Sequence, residues 1–227
     1  MSALEMISSY EEDWIKKFDP QKRILTGYAY FVTKRILDLF LVLVTLPFWL
    51  PLIAAIALII RVTSPGAPVI FEQLRTGKGG RRFNMYKFRT MVPDAEELKS
   101  QYEYLNELQW PDFKITNDPR ITSIGRFLRK TSLDELPQLF NILRGEMSLV
   151  GPRPTSFGPE TYKLWHTHRL DVMPGLTGLW QIIGRAQLEF DDRLRLDIAY
   201  IERACIWLDI NILFRTVLAV FDSRGAH

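Results

Sequence analysis

The longest apolar run of the chain, residues 39–60, contains no charged side chain and is long enough to cross a bilayer as a helix. Pro47 and Pro51 lie near its middle, and each removes a backbone donor from a helix. Lys34 and Arg35 precede the run, and a basic stretch follows it. Because basic flanks tend to stay in the cytoplasm, the pattern favours a segment that enters the membrane, bends and returns, over a proline-kinked spanning helix.

Two segments with strand-like patterns follow the apolar run, at residues 68–71 and 82–88. The basic, glycine-rich turn 75–81 joins them, and it lacks the spacing of a phosphate-binding P-loop. A flexible hairpin loop is therefore the favoured interpretation of the turn over a phosphate contact. Lys87 and Arg89 lie at the end of the second segment, where a strand gives side chains a fixed direction. The sequence thus predicts a small antiparallel hairpin with cations at its end.

Polar and apolar positions elsewhere predict further helices, at residues 94–108, 191–203 and 206–221. The last of these is strongly apolar but carries Asp209 and Arg215, so we expect it to lie on the membrane or in a core without crossing. The N-terminal segment mixes aromatic and basic residues, which is typical of a segment at a bilayer surface. An arm that packs on the protein explains that segment equally well.

Residues 129–154 contain most of the candidate catalytic and phosphate-binding side chains. The adjacent carboxylates Asp134 and Glu135 stand at the start of a predicted helix, with Arg129 before them and Arg153 between two prolines after them. Carboxylates among cations at a helix start suit a metal ion or a nucleophilic attack on phosphate better than plain capping. The stretch therefore predicts an enzyme that acts on a phosphate.

A purely structural interpretation of the same stretch also stands. Ser132 and Glu135 fit a capping box, whereas Asp134 as the N-cap would place Pro137 where no amide partner is needed. The spacing of the following apolar residues predicts a helix with one buried face, formed by Leu136, Leu139, Phe140 and Leu143.

The segment 174–185 adds a second group of candidate residues. Its glycines allow close backbone approach, and Trp180 offers either a stacking face or a buried packing residue. Arg185 is a weaker candidate for a phosphate contact than the basic residues around Asp134.

The chain is modestly basic, and charge alone does not choose its partner. The formal net charge of +3 and the pI near 9.0 suit anionic lipid surfaces or phosphorylated substrates as readily as nucleic acid. The arginines cluster around acids and do not form a stripe with exposed aromatics, so we expect no nucleic-acid binding. The single cysteine, Cys205, excludes an internal disulfide and is interpreted as a packing residue. The three histidines form no zinc pattern.

With these residues in view, the chain resembles the monotopic phosphoglycosyl transferases, the bacterial sugar transferases that initiate surface glycan and exopolysaccharide synthesis. The resemblance covers about residues 34–221 and depends on several phrases in order: TSPG and VIFEQ within 63–73, KFRTM at 87–91, NDPRIT at 117–122, TSLDELPQLFN at 131–141, SLVGPRP at 148–154 and PGLTGLWQ at 174–181. The family's membrane helix breaks at a Ser-Pro pair. Here Leu50 and Pro51 stand at that place, with Pro47 in addition, so the break lacks the serine hydroxyl as a capping group.

The resemblance implies a reaction. Such enzymes transfer a sugar-1-phosphate from a UDP-sugar to polyprenyl phosphate and release UMP, at the cytoplasmic face of the bacterial inner membrane. The family's nucleophilic aspartate corresponds to Asp134, and Glu135 would assist it and help it to hold Mg²⁺. The expected phosphate-binding cations are Lys87, Arg129 and Arg153, with Arg185 as a weaker member.

We therefore predict a mainly helical α+β fold with a re-entrant membrane helix-break-helix hairpin, interfacial amphipathic helices and a small antiparallel β-hairpin. The expected organisation is an N-terminal interfacial arm (1–35), the re-entrant hairpin in the lipid bilayer (36–62) and a cytoplasmic catalytic domain (63–227). A small-form enzyme, or the catalytic part of a larger one, would fit this organisation. The alternative function is an inactive membrane-anchored scaffold, against which the intact carboxylate pair counts. The sequence leaves the oligomeric state open, a homo-oligomer included.

Overall fold

A computed structural model describes residues 14–107, 115–183 and 188–221. The helices are α1 (Gly27–Thr63), α2 (Ser123–Lys130), α3 (Gln138–Arg144), α4 (Leu179–Ile183), α5 (Phe190–Arg203) and α6 (Ile206–Phe221). The strands are β1 (Ile70–Thr76), β2 (Arg82–Phe88), β3 (Ser148–Val150) and β4 (Gly175–Thr177). This content confirms the predicted α+β class with helices predominating.

Strands β1 and β2 form the predicted antiparallel hairpin, from the pair Ile70 and Phe88 to the pair Thr76 and Arg82. β2 has the predicted bounds, whereas β1 continues five residues beyond the predicted end at residue 71. The connecting turn is short because two consecutive glycines, Gly79 and Gly80, adopt positive φ angles of 63° and 76°. The longer β1 brings more side chains onto the face that carries Lys87.

Strands β3 and β4 form a parallel pair whose backbones touch at glycines. A Cβ atom on Gly175 would lie 2.1 Å from the amide nitrogen of Gly151, and one on Gly151 would lie 2.5 Å from the carbonyl oxygen of Met173. The close approach expected from the glycines of the segment 174–185 is therefore present. This contact between Gly151 and Gly175 fixes the turn that follows β3, and that turn carries Arg153.

Helix α1 contains the long apolar run, but it begins at Gly27, nine residues before the predicted boundary at residue 36. Helical geometry continues through Pro47, Leu50 and Pro51, so the predicted break at these residues is not confirmed. The helix is long and apolar enough to cross a membrane, and only seven of its 37 residues are buried. This low burial is typical of a lipid-facing helix and unlike the core helix of a soluble protein.

One stripe along α1 nevertheless packs on the rest of the protein. Its members recur at intervals of four or seven residues: Tyr30, Lys34, Asp38, Val42, Trp49, Ile56 and Ile60. The stripe's earlier apolar members belong to the main core, together with β3, α5 and α6. Ile56 and Ile60 instead pack with Phe88 and Leu128. Both halves of the apolar helix therefore contact the same protein body.

The described part of the N-terminal arm packs on the protein. Ile15 is fully buried in the main core, and the guanidinium of Arg215 lies 4.1 Å from the ring centre of Trp14. For residues 14–26 the structure thus favours the packed arm over one that lies free at a bilayer surface. Residues 1–13 of the predicted arm lie outside the described part of the chain.

Helices α5 and α6 lie where the sequence predicts helices. α6 buries Leu208 and Ile212, while its other side exposes large apolar residues: Trp207, Ile210, Phe214, Val217 and Leu218. The helix predicted at residues 94–108 differs, because the structure has a 3₁₀ helix over Glu97–Leu105. That segment buries none of its residues, so no tertiary packing supports a regular α-helix there.

Candidate functional site

A cavity of about 1010 Å³ lies between the hairpin, the segment before α3 and the turn after β3. Five of the predicted site residues line it, although they are widely separated in the chain: Lys87, Arg129, Asp134, Glu135 and Arg153. The sixth, Arg185, lies outside the described residues. The structure therefore brings the acids and the cations of the prediction into one cavity.

A turn before α3 presents the two carboxylates. Ser132 has a left-handed conformation with φ 57°, which is uncommon for a residue other than glycine. A single 3₁₀ turn, Leu133–Glu135, follows it, and α3 begins only after Pro137. Neither Ser132 nor Pro137 provides a side-chain cap, so the predicted capping box is wrong. Asp134 lies in the 3₁₀ turn and is not the N-cap either, which leaves both carboxylates available to the cavity.

The buried side chain of Asn141 fixes α3 to the hairpin. Its Nδ2 donates to the carbonyl of Asn84 at 2.7 Å, and its Oδ1 accepts the backbone amide of Tyr86 at 3.0 Å. A side-chain amide thus pairs with β2 in the way that a further strand would, and Nδ2 also donates to Glu146 at 2.7 Å. This connection holds the segment of Asp134 and Glu135 beside the end of β2, where Lys87 lies.

Glu135 is held by two cations. Nη1 of Arg153 lies 3.1 Å from Oε2, Nη2 of Arg153 also bonds Oε1, and Nζ of Lys87 lies 3.3 Å from Oε1. Burial raises the pKa of Glu135, but the charges of Arg153 and Lys87 outweigh it and bring this pKa to about 2. Glu135 is therefore an anion at neutral pH, and most of its acceptor positions are occupied.

Asp134 has no such partner. Its residue is 9% exposed and lines the cavity, and its carboxylate forms no hydrogen bond or ion pair with any residue that the structure describes. Burial, and then the charge of Glu135, raise the pKa of Asp134 above its usual range. A carboxylate that is close to cations and yet unpaired is available to bond to a phosphorus atom or a metal ion.

Arg75 lines the cavity but was not among the predicted site residues. Its Nη1 donates to the carbonyl of Pro154 at 3.1 Å, and burial followed by the charge of Arg153 lowers its pKa to about 10. Strand register could have identified it. Phe71 pairs with Lys87, and residues two and four positions later on β1, Gln73 and Arg75, share that face.

The remaining wall of the cavity is mixed. Nε of Arg129 donates to Oγ1 of Thr90 at 2.9 Å, and Arg120 pairs with Asp118 at 2.7 Å. Trp180 also lines the cavity, with the guanidinium of Arg193 5.4 Å from its ring centre. An apolar part follows along α6 and its neighbours, formed by Leu149, Leu176, Leu213, Val217 and Val220. The cavity thus combines charged and apolar surfaces.

Two adjacent carboxylates of the cavity, Asp134 and Glu135, are oxygen ligands of the kind that Mg²⁺ prefers. No group of three or more His, Cys, Asp or Glu side chains that could hold a metal lies within the described ranges. Mg²⁺ commonly uses one or two protein carboxylates and completes its shell with waters and substrate phosphates. Asp134, which has no partner among the described residues, and the remaining acceptor position of Glu135 fit this requirement.

The chain is similar to known bacterial proteins over most of its length. The family model described as bacterial sugar transferase matches residues 29–223. The chain is 44% identical over 201 residues to galactosyl transferase CpsE of Streptococcus agalactiae serotype III (strain NEM316), covering 88% of this chain and 44% of that protein. It is 46% identical over 172 residues to undecaprenyl-phosphate galactose phosphotransferase of Salmonella typhimurium, covering 74% and 36%. It is 39% identical over 201 residues to exopolysaccharide production protein ExoY of Rhizobium meliloti (strain 1021), covering 86% and 88%. The chain thus spans less than half the length of the first two proteins.

Proposed function

Because the chain belongs to the bacterial sugar transferase family, we propose that it transfers a sugar-1-phosphate from a UDP-sugar to a polyprenyl phosphate and releases UMP. This would be the first membrane step of bacterial glycoconjugate or exopolysaccharide synthesis. Relatives named as undecaprenyl-phosphate galactose and glucose phosphotransferases support the acceptor class. The observation that carries the proposal is the position of Asp134, which pairs with none of the residues that the structure describes, beside the cation-bound Glu135 in one cavity.

In the first step, a carboxylate oxygen of Asp134 attacks the phosphorus atom next to the sugar. The bond from that phosphorus to the bridging oxygen breaks, and UMP leaves with the electron pair. The product is an aspartyl-phosphosugar. Lys87, Arg129 and Arg153 reduce the repulsion between the carboxylate and the diphosphate, which is the main obstacle to such an attack.

Glu135 would act by holding the cations. Since its pKa lies at about 2, it stays ionised and cannot serve as a proton donor near pH 7. Its contacts fix the guanidinium of Arg153 and the ammonium of Lys87 beside Asp134. Preorganised charges of this kind need little rearrangement when the transition state forms.

In the second step, a phosphate oxygen of the polyprenyl phosphate attacks the same phosphorus, and the bond to Asp134 breaks. The enzyme regains its carboxylate, and the sugar is linked to the lipid through a diphosphate.

Asp134 and Glu135 would hold Mg²⁺ together with oxygens of the donor diphosphate. Such an ion, when bound, supplies positive charge to the phosphate groups.

We also propose that α1 is re-entrant and that the enzyme lies at the cytoplasmic face of the inner membrane. Both halves of α1 pack on one protein body, which a straight crossing would place on two sides of the bilayer. Near Pro47, the Thr45 hydroxyl donates to the Leu41 carbonyl at 2.7 Å and the Trp49 indole donates to the Val42 carbonyl at 2.9 Å. Back-bonding by threonine favours helix bending, and both accepting carbonyls lie within the two turns that precede Pro47.

The catalytic proposal is tested by measuring the mass of the purified protein after incubation with UDP-sugars and Mg²⁺, without acceptor. We expect a phosphosugar adduct on the wild type and none on Asp134→Asn. Addition of undecaprenyl phosphate should remove the adduct. A wild type that turns over with acceptor but never forms an adduct would show direct transfer and refute the aspartyl intermediate.

The topology is tested by cysteine labelling in intact cells, in a Cys205→Ala background. Gln21→Cys places a thiol at an exposed position before α1 in the sequence, and Ser100→Cys places one at an exposed position after it. A re-entrant helix keeps both thiols inaccessible to a membrane-impermeant reagent until the cells are opened. Labelling of one position alone would demonstrate a spanning helix.

A further inference from the structure

Arg35, in the third turn of α1, binds the C-terminal end of α3. Its Nη1 donates to the carbonyl of Ile142 at 2.6 Å, and its Nη2 donates to the carbonyl of Leu143 at 3.2 Å. The last carbonyls of a helix have no partner within the helix, and a cation is favourable beside them. Since α3 has seven residues and follows the turn of Asp134 and Glu135 directly, Arg35 fixes the far end of the catalytic segment.

Asp38, one turn further along α1, binds the start of the strand that leads to Arg153. Its Oδ2 accepts the hydroxyl of Ser148 at 2.7 Å, and its Oδ1 accepts the backbone amide of Leu149 at 3.2 Å. Asp38 is 4% exposed, so these bonds form away from water. From these two hydrogen bonds, strand β3 continues into the turn that carries Arg153. The guanidinium of Arg153 pairs with Glu135.

These contacts show that the polar residues before the apolar run bind other parts of the protein. Lys34 and Arg35 resemble a basic flank that sets membrane orientation, but Nζ of Lys34 pairs with Asp209 at 2.9 Å and Arg35 binds two carbonyls. Each contact joins α1 to an element more than 100 residues away in the chain. The polar side of α1 is therefore part of the protein interior.

We propose that Arg35 and Asp38 are positioning residues for the proposed transfer. From α1, Arg35 holds the C-terminal end of α3, which follows the turn of Asp134 and Glu135, and Asp38 holds the strand that leads to Arg153. The two residues thereby set the position of Asp134 relative to Arg153. Helix α1 then contributes to the geometry of the site as well as to membrane binding. This inference rests on the proposed function, because it concerns the geometry of that reaction.

Arg35→Lys separates positioning from membrane orientation. The lysine keeps the positive charge but lacks the planar pair of donors that reaches two carbonyls at once. We expect adduct formation in a single turnover to slow about tenfold, since small displacements of reacting groups have effects of this size or larger. The concentration of UDP-sugar that gives half the maximal rate should change little. Ile36→Ala, at an exposed neighbouring position, is the matched control and should behave as the wild type.

Asp38→Ala and Ser148→Ala test the second contact through a double-mutant cycle. Each change should slow adduct formation, and the double variant should be little slower than Asp38→Ala alone, because both remove the same bond. Thermal unfolding and membrane extraction of every variant show whether it is folded and inserted. Where Asp38→Ala does not fold, Ser148→Ala and Arg35→Lys still give the rates that decide the question.

The outcomes distinguish this inference from the proposed function. A wild type that forms the adduct, together with folded Arg35→Lys and Ser148→Ala proteins that form it at the wild-type rate, overturns the positioning role alone. A wild type that forms no adduct overturns the aspartyl intermediate. In that case the same variants are compared by turnover to the lipid-linked product, where unchanged rates again contradict the inference and slower rates support it.

Discussion

Arg153 contacts Glu135 at two points, whereas Asp134, the preceding residue, pairs with none of the residues that the structure describes. Two adjacent carboxylates thus have opposite environments. Burial raises the pKa of Glu135, but Arg153 and Lys87 outweigh it and lower this pKa, whereas burial and the charge of Glu135 raise the pKa of Asp134. Divergent pKa values in neighbouring acids are typical of sites in which each has a different role.

Replacement of Arg153 by lysine should strongly impair the reaction although the charge is kept. Lysine provides a point charge and cannot contact both oxygens of Glu135 in one plane. We expect kcat/KM for the UDP-sugar to fall on the order of 10²-fold, as for the loss of a preorganised charge at a transition state. Arg81→Lys, at an exposed position of the hairpin turn, is the control and should retain activity. An Arg153→Lys enzyme with wild-type kcat/KM would show that the two-point contact has no catalytic importance.

Replacement of Glu135 by glutamine should move the acid limb of adduct formation to lower pH. Asp134 must be ionised to attack, and removal of the neighbouring negative charge lowers its pKa. The variant should also be slower, since Arg153 and Lys87 lose their anchor. The measurement is the single-turnover rate as a function of pH, with Glu72→Gln on the exposed edge of β1 as control. A limb that stays in place or moves upward would contradict the assignment of Asp134 as the titrating nucleophile.

Replacement of Asn141 by alanine should destabilise the protein. The change leaves the carbonyl of Asn84 and the amide of Tyr86 without their side-chain partner at a partly buried position, and the loss of each such hydrogen bond costs about 0.5–1.5 kcal/mol. Asn84→Ala is the matched control, because it removes only an exposed bond to Glu72. Thermal unfolding in detergent would show a clear decrease in Tm for Asn141→Ala alone. Equal Tm values for the two variants would mean that the connection between α3 and β2 contributes no stability.

The buried Asp197 should make stability depend on pH. It pairs with Arg169 at 2.7 Å, and Arg193 is a further charge near it. Burial outweighs these cations and raises the pKa of Asp197 to about 7, against about 3.9 in an unfolded chain. The folded state therefore binds an extra proton between about pH 4 and pH 7, so the contribution of Asp197 to stability decreases as the pH rises through this window.

Asp197→Asn should remove that part of the pH dependence. The difference in Tm between pH 5 and pH 8 should be smaller in the variant than in the wild type, whereas Asp171→Asn, at an exposed carboxylate, should match the wild type. An unchanged difference in Asp197→Asn would contradict the raised pKa. Arg169 also donates to the carbonyl of Arg153, so the same variants report whether this pair affects catalysis.

By itself, the sequence determined the elements with a local cause and the identity of the candidate site residues. Uncharged residues 39–60 indicated an apolar helix, two strand-like runs around a glycine-rich turn indicated the hairpin, and the glycines of the segment 174–185 indicated a close backbone approach. Local patterns suffice there because helix periodicity, strand alternation and glycine geometry depend on near neighbours. The ordered phrases also pointed to the family to which the chain belongs.

Tertiary structure decided what depends on residues distant in the chain. Ser132 fits a capping box by sequence, but the placement of α3 on β2 through Asn141 leaves the turn before the helix in another geometry. Arg75 joins the cavity because of the strand register, and Lys34 and Arg35 bind protein groups because α1 packs on α3 and α6. Only the folded chain brings such groups within a few ångströms. At that distance Glu135 pairs with Arg153 and Lys87, whereas Asp134 pairs with none of the described residues, and burial and charge shift their pKa values in opposite directions.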